Sequence, residues 1–421
     1  MSEPESPQGE RGARRAGRSA PAPAGRSEER AQREPAARPA VPRLTLVGIF
    51  GGLFCGYLGL AAVIPVLPGF VRDELGGGNL AVGVVITATA VTALLVRPLA
   101  GGLADRHGHR PVMQLGALVV AVGGLLYFLP LGLAGLVLVR LLLGIGEASL
   151  FTAGAVWTAS IAPHDRRGQL IGLYGVSMWG GISAGTFAGA LLERVDYTAV
   201  WAFSVAAPLV GLALISSVPA PAGAGGGGGG GLLLRPAVVP GTALALAAIG
   251  YAGLAAFVVL HLDARGNSSG VAVLTCFSAV YAGTRLVIGH LPDKLGPRRV
   301  ATWSAAGEAV GLLVIAAAPN LPVAVLGGLV MGAGFSLLYP SLALMVLDRT
   351  EKAKQGAAIG AYTSFWELGL IVGGPVTGAV AAGFGYPAVF VLGAAGAAAA
   401  MTVAYRTRQP APPLAAGVSE T

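Results

Sequence analysis

Long apolar runs recur along this chain and limit what it can fold into more than any other feature. An α-helix needs about 20 apolar residues to cross a hydrocarbon core about 30 Å thick, and runs of about this length or longer recur. Only 11% of the 421 residues are charged, whereas soluble domains carry about 25%. The runs lack the alternating pattern of barrel strands, and backbone polar groups in lipid must be bonded within their segment. The sequence therefore predicts an all-α membrane protein.

Twelve membrane-spanning helices are predicted from these runs. They cover residues 44–71, 80–101, 112–130, 133–161, 169–192, 198–218, 241–260, 271–290, 300–318, 322–347, 356–382 and 388–405. A Gly/Pro-rich segment at 219–240 separates a first half (44–218) from a second half (241–405), and we expect it to be a flexible cytoplasmic linker. Residues 1–43 are rich in Arg, Glu, Pro, Ala and Ser, which predicts a disordered tail, and 406–421 form a second cytoplasmic tail.

The basic residues are distributed unevenly around the predicted spans. The chain holds 28 Lys and Arg residues, and most of them fall in the tails and in alternate loops. We place one basic residue, Arg140, within a span, and only Arg72, Arg194 and Arg265 on the opposite side. This is the positive-inside pattern, so both termini are expected in the cytoplasm, as parts of a multi-pass protein of the cell membrane. The basicity therefore indicates topology, and no nucleic-acid partner is expected.

Residues of the first half recur in the second half at a constant spacing. Arg97 matches Arg285 and Tyr174 matches Tyr362, each pair being 188 positions apart. Five further pairs share this spacing: Gly101 and Gly289, Asp105 and Asp293, Gly144 and Gly332, Gly168 and Gly356, and Gly185 and Gly373. The repeat predicts two six-helix halves of one fold, arranged around a central cavity.

The loop after the second predicted helix reads GGLADRHGHR, and a degenerate copy, GHLPDKLGPRR, follows the eighth. This loop resembles the signature of the major facilitator superfamily, which implies a transporter of twelve helices, and the resemblance covers nearly all of the chain. Asp105 and Asp293 are expected to face the positive N-terminal ends of the eleventh and fifth helices, while Gly101 and Gly289 permit close helix approach. These contacts would latch the cytoplasmic side. The predicted gate residues are Gly101, Asp105, Arg106, Gly108, Arg110, Gly289, Asp293 and Gly296.

Three further motifs resemble those of the twelve-helix drug:proton antiporters within that superfamily. The first is LG-x5-PVLP at 58–68, whose two prolines are expected to distort the outer end of the first helix. The second is centred on Arg140 in the fourth helix. The third, in the fifth helix, has Thr186 where that family places Pro. Close packing and a role in coupling both explain its glycine stripe, which recurs in part in the eleventh helix: Gly181, Gly185, Gly189 and Gly373.

Charged residues within the spans are the candidate functional groups, because each costs several kcal/mol in lipid unless it faces a cavity or a partner. Glu147, near the middle of the fourth helix, is a candidate proton or substrate site. Arg140 lies about 10.5 Å away along the same helix and either holds an anionic cargo group or acts as a structural brace. Glu367, in the eleventh helix, is a second candidate for either role. Glu308, in the ninth, is expected to pack between helices or to snorkel.

Efflux of a small organic compound by alternating access and proton antiport is the function that the resemblance implies. Tyr57, Trp157, Tyr251 and Tyr339 lie on the four helices that the resemblance places around the cavity, and they favour an apolar or amphipathic cargo. The alternatives are a proton-independent facilitator or nutrient importer of the same fold, and a non-transporting membrane sensor. The two cysteines sit in different apolar runs and indicate neither a disulfide nor a metal site. We expect a monomer without cofactor or metal, and no enzyme activity.

Overall fold

The computed structural model describes most of the chain between the predicted tails. The described residues are 43–163, 167–219, 235–267, 269–351 and 355–407, without the side chains of 105, 167–169 and 355–357. The glycine run of the predicted linker and nearly all of both predicted tails lie outside these ranges, so those expectations stay predictions.

Twelve long helices make up nearly all of the described residues. They are α1 Arg43–Ala62, α2 Asn79–His107, α3 His109–Leu126, α4 Gly132–Ile161, α5 Arg167–Glu193, α6 Tyr197–Ser216, α7 Arg235–Asp263, α8 Val271–Ile288, α9 Pro297–Ala317, α10 Leu321–Leu347, α11 Gln355–Phe384 and α12 Tyr386–Arg406. Within the described ranges, 11 helical segments are long and apolar enough to cross a membrane. The remaining helix, α5, has 27 residues and is less apolar because of its Gly, Ser and Thr content. The predicted all-α architecture of twelve helices is confirmed.

The first predicted span, 44–71, is interrupted. Helix α1 ends at Ala62, and residues 63–66 form turns. A short helical turn at Leu67–Gly69 and a π-helical turn at Phe70–Glu74 follow. The two prolines of this segment lack the N–H groups that would continue the helical hydrogen-bond ladder. The outer end of the first span is distorted, as the sequence predicted.

Helix α7 begins earlier than the sequence indicated. The predicted linker reached residue 240, but the helix starts at Arg235 and contains Pro240. Pro236 lies in the first helical turn, where a missing N–H removes no intrahelical bond. Ala237 and Pro240 are buried, so packing stabilises this turn. The linker boundary is corrected accordingly, because the Gly/Pro-rich composition continues into a segment that tertiary packing makes helical.

The six helices α1–α6 and the six helices α7–α12 form two halves with matching contacts. The Tyr174 hydroxyl on α5 donates a hydrogen bond to the Phe151 carbonyl on α4, at 2.7 Å. In the second half, the Tyr362 hydroxyl on α11 donates to the Tyr339 carbonyl on α10, at 2.9 Å. Donors and acceptors are both 188 positions apart. The sequence repeat is therefore a repeat of structure.

The two halves meet mainly along two helix pairs, α2 with α11 and α5 with α8. We call the end of the bundle that carries the α2–α3 turn the inner end, and the end that carries the α1–α2 connection the outer end. Towards the outer end, α2 and α11 touch backbone to backbone. A Cβ atom added at Gly83 would lie only 2.1 Å from the Gly374 carbonyl oxygen, so this crossing tolerates no side chain.

Polar contacts also join the halves at the outer end. The Arg72 guanidinium donates a hydrogen bond to the Tyr386 hydroxyl, at 2.8 Å. That hydroxyl donates in turn to the amide oxygen of Asn79, at 3.4 Å. Because Arg72 and Asn79 belong to the first half and Tyr386 to the second, this group links the halves across the outer end. Together with the α2–α11 crossing, it closes the outer end of the bundle along these helices.

Candidate functional site

An ion pair at mid-depth connects the two halves. On α2, Arg97 donates through Nε (3.0 Å) and Nη2 (2.5 Å) to one carboxylate oxygen of Glu367 on α11. The side chains are 14% and 2% exposed, so the pair is nearly enclosed. The guanidinium also lies over the Phe151 ring, with Cζ 5.0 Å from the ring centroid. Enclosure in a low-dielectric site strengthens such a pair and makes the loss of either charge costly.

Arg97 is the functional candidate that the sequence analysis missed. We placed Arg140 as the one basic residue within a span, and the structure corrects this, because Arg97 also lies within the second helix and is partnered there. The available signal was its position inside the predicted span 80–101. Because Arg97 also lies near the basic loop at the inner end, it was not recognised as a residue within the span.

Glu147, the leading candidate from the sequence, lies near the middle of α4 and is half-buried. Its carboxylate accepts a hydrogen bond from the Tyr57 hydroxyl on α1, at 3.2 Å. The Arg97 charge interacts electrostatically with both Glu147 and Glu367. Among the described residues, Arg97 is hydrogen-bonded to Glu367, whereas Glu147, from the same half as Arg97, is within range of its charge without a hydrogen bond to it. The structure brings Glu147 and Glu367 into one charged group around Arg97.

Arg140 lies apart from this charged group. Its Nε atom donates to the Val85 carbonyl (3.0 Å) and its Nη2 atom to the Ile86 carbonyl (2.9 Å), both on α2. The side chain is 4% exposed. A planar fork that binds two successive carbonyls ties α4 to α2. These contacts are those of a structural brace, which was one of the two roles expected for Arg140.

Aromatic rings from both halves form a continuous wall beside the charged group. Tyr251 on α7 lies 5.3 Å from Trp366 on α11 and 5.9 Å from Trp179 on α5, measured between ring centroids. Phe335 on α10 lies 5.6 Å from Trp366. Of the four aromatic residues expected to line a cavity, Trp157 is completely buried and serves packing. Trp366 precedes Glu367 on α11, so the wall lies at the same depth as the ion pair.

The predicted gate loops adopt matching backbone conformations. Gly108 and Gly296 end helical segments with φ of +92° and +88°, values that favour glycine, and the two glycines are repeat equivalents. Arg110 donates to the Ser216 carbonyl, at 2.5 Å, and so ties α3 to α6 at the inner end. Arg106 is exposed. The described part of the chain gives the exposed Asp293 no hydrogen-bond or ion-pair partner.

Close helix approach is not seen at the two gate glycines. A Cβ added at Gly101 would lie 3.8 Å from Thr152, an ordinary contact, and one at Gly289 would meet only the preceding turn at Arg285. The side chain of Asp105 lies outside what the structure describes, so its contact with the N-terminal end of α11 stays a prediction. Among the gate residues with described side chains, the contacts expected for an outward-open state are thus not evident in this conformation, in which the outer end is closed.

The predicted glycine stripe packs α5 against α1. A Cβ added at Gly181, Gly185 or Gly189 would lie between 1.9 and 2.5 Å from backbone carbonyl oxygens of α1. Gly373 occupies the equivalent position on α11, where an added Cβ would lie 3.1 Å from the Cβ of Ala252 on α7. Backbone-to-backbone packing therefore accounts for the stripe.

The fold and the site together define a class of protein. Apolar helices in two repeated halves, joined at mid-depth by a charged group, form the architecture of a membrane transporter and not of an enzyme. The family model described as Major Facilitator Superfamily matches residues 49–272 and 241–420, and so covers both halves. The chain belongs to the Major Facilitator Superfamily, as its loop motifs indicated.

Bacterial relatives match over most of their length. The chain is 32% identical to YhhS of Escherichia coli (strain K12) over 397 residues, which is 90% of this chain and 97% of YhhS. It is 31% identical over 370 residues to a protein of Burkholderia mallei (strain SAVP1), covering 86% of this chain and 91% of that protein. Both relatives are named as uncharacterized MFS-type transporters. They support the family and a membrane location without specifying a cargo.

Solved transporter structures share the fold. The human organic anion transporter MFSD10 superimposes with a TM-score of 0.66 at 19% identity, covering 86% of this chain and 99% of that chain. A point mutant of the nucleoside transporter NupG gives a TM-score of 0.71 at 14% identity, covering 86% and 98%. At these identities the likeness shows the fold alone. The predicted major facilitator fold is confirmed.

Proposed function

We propose that this transporter exports a small organic compound across the cell membrane by alternating access, in exchange for protons. The ion pair between Arg97 and Glu367 is the observation that carries the proposal. It joins the two halves at mid-depth, where alternating access requires them to move against each other. Protonation of Glu367 would remove its charge and leave the buried guanidinium without its partner. Proton binding at this carboxylate therefore changes the energy of the contact between the halves.

The second carboxylate supports the same mechanism. Glu147 and Glu367 share the field of one guanidinium, so full ionisation leaves the group with one excess negative charge. Such a charge in a membrane interior is neutralised by a proton. The resemblance of the first and fourth helices to drug:proton antiporters favours export by exchange. The positive-inside pattern favours cytoplasmic termini and a cytoplasmic linker, and the chain is proposed to act as a monomer.

Flux in liposomes tests the proposal. A screen of cells lacking the protein against toxic compounds and metabolites supplies the cargo, and purified protein is then assayed with and without an imposed pH gradient. We expect Glu367→Gln and Glu147→Gln to abolish flux driven by the gradient while passive cargo exchange persists, because Gln mimics the protonated acid. Glu308→Gln is the matched control, since it makes the same chemical change in a membrane acid away from the charged group. It should leave gradient-driven flux unchanged.

The outcomes separate the proposal from its rivals. Full gradient-driven flux in both Glu367→Gln and Glu147→Gln would exclude these carboxylates as proton carriers. Wild-type flux that is independent of the pH gradient would indicate a facilitator or importer. That alternative is favoured by Thr186, at a position where the antiporters carry Pro. Tight cargo binding without any flux would indicate a sensor.

A further inference from the structure

The internal repeat leaves its second arginine without an acid. Arg285 on α8 is the repeat equivalent of Arg97, 188 positions later. The position equivalent to Glu367 in the first half is Trp179, which carries no charge. The ion pair that joins α2 to α11 therefore has no counterpart where α5 meets α8. This asymmetry is notable because the surrounding tyrosine contacts are repeated closely in the two halves.

Arg285 lies between the halves. The Cζ atom of its guanidinium is 5.8 Å from the Tyr281 ring centroid and 5.9 Å from that of Tyr339. A Cβ added at Gly175, on α5 of the other half, would lie 3.3 Å from the Nη1 atom. The side chain is half-buried. It therefore occupies space bounded by α8, α10 and α5, on the inner side of the aromatic wall.

The guanidinium donors of Arg285 are unpartnered within the described ranges. Across the residues that the structure describes, its guanidinium makes neither a hydrogen bond nor an ion pair. The neighbouring rings interact with the face of the cation, whereas its five N–H donors lie in the guanidinium plane. The Tyr339 hydroxyl is already paired with the Thr363 hydroxyl, at 2.9 Å. The donors of this cation are therefore available to an anionic group that enters the space between the halves.

We propose that Arg285 binds the acidic group of an aromatic or similarly apolar organic anion. A planar fork of N–H donors matches a carboxylate or sulfonate in a two-point contact. The Tyr339 ring beside the guanidinium is only half-buried, so an apolar body attached to the acid would contact an aromatic face next to the charge.

This inference rests on the proposed function only in treating the anion as cargo, and equilibrium binding tests it without any pH gradient. The full-length protein in lipid nanodiscs is titrated with naphthoate, followed by tryptophan fluorescence, and naphthamide serves as the uncharged probe of the same shape. We expect naphthoate to bind wild type more tightly than naphthamide. Arg285→Gln should weaken naphthoate binding at least tenfold and leave naphthamide binding unchanged. The naphthoate affinity of Arg285→Lys should lie between those of wild type and Arg285→Gln.

Arg298→Gln is the matched control, because Arg298 also lies over a tyrosine ring, that of Tyr405 at 4.8 Å, but on the contact of α9 with α12. It should bind naphthoate like wild type. Equal binding of naphthoate by wild type and Arg285→Gln would overturn the proposal, and so would wild-type preference for naphthamide or failure to bind naphthoate. If naphthoate binding depends on Arg285 but flux is independent of the pH gradient, the anion site is supported and proton antiport is ruled out.

Discussion

Glu308 and Glu367 are both acids within membrane helices, but their surroundings differ. Glu367 is bonded to Arg97 across the two halves. Glu308 is 0% exposed inside the second half, and both of its carboxylate oxygens lack a hydrogen-bond partner in the described part of the chain. A Cβ added at Gly250 on α7 would lie 2.9 Å from one of these oxygens, so the carboxyl group fills the contact of α9 with α7. Glu308 packs between helices and does not snorkel.

Replacing Glu308 by Met should stabilise the protein. The substitution keeps the length of the side chain and removes two buried oxygens without partners, each of which costs about 1–3 kcal/mol. We expect Glu308→Met to raise the melting temperature of the purified transporter, followed by tryptophan fluorescence. Glu308→Gln is the control, because its amide keeps buried polar atoms and should melt below the Met variant. A lower melting temperature for Glu308→Met than for wild type would mean that the carboxyl group has a stabilising partner.

The sequence predicted part of the charged group, for a physical reason. Glu147 and Glu367 stand out because an acid within an apolar run is costly unless it has a role. Arg97 was missed because it lies close to a basic loop, where a cation needs no special explanation. Its pairing with Glu367 was also out of reach, since 270 positions separate the two residues and the contact depends on how the halves meet. The two roles expected for Arg140, binding a cargo group and bracing helices, differ in the partner of its guanidinium. The spacing of residues in the sequence does not identify that partner.

At the scale of helices, hydropathy identified the twelve spans because lipid requires long apolar helices wherever the chain crosses. Prolines in the first span predicted its interruption, since proline removes a backbone donor whatever the context. The start of α7 was predicted too late, because Pro236 and Pro240 are typical of a linker by composition. In the structure both residues lie in the first turns of the helix, which packing stabilises. Contacts between particular helices, such as α2 with α11, depend on three-dimensional packing that a single sequence does not display.

The crossing of α2 and α11 gives a prediction about an element. Gly83→Ala places a methyl group 2.1 Å from the Gly374 carbonyl oxygen, so the helices must separate. We expect a loss of about 1–3 kcal/mol, as for other overpacked contacts, and a lower melting temperature. Gly78→Ala is the matched control, since a Cβ there has no atom within 4 Å and its φ of −79° suits alanine. Equal melting temperatures of the two variants would show that α2 and α11 do not touch at Gly83.

At the scale of the whole molecule, two sets of contacts bear on the equilibrium between outward-open and inward-open states. The outer end is held by Arg72, Asn79 and Tyr386 and by the α2–α11 crossing. The predicted latch at the inner end consists of Asp105 and its repeat equivalent Asp293, each facing a helix N-terminus in the outward-open state. Because the two sets hold opposite ends, weakening either should favour the state that the other stabilises.

Two substitutions should therefore move the molecule in opposite directions. Tyr386→Phe removes the hydroxyl that links the halves at the outer end and should favour the outward-open state. Asp105→Asn removes the charge expected at the α11 N-terminus and should favour the inward-open state. Each lost contact is worth about 0.5–1.5 kcal/mol, which corresponds to a shift in the population ratio of about two- to tenfold.

Spin labels at the outer ends of α2 and α11 measure this shift. Gly78 and Gly383 are suitable label sites, because a Cβ at either has no atom within 4 Å. Each is replaced by cysteine, and the native Cys55 and Cys276 are replaced by alanine, so that only the two introduced thiols are labelled. Distance distributions should lengthen in Tyr386→Phe, shorten in Asp105→Asn where wild type samples both states, and return towards wild type in the double variant. Tyr405→Phe, which changes an exposed tyrosine on α12, should leave them unchanged. A shift of both variants in one direction would rule out opposing closures at the two ends.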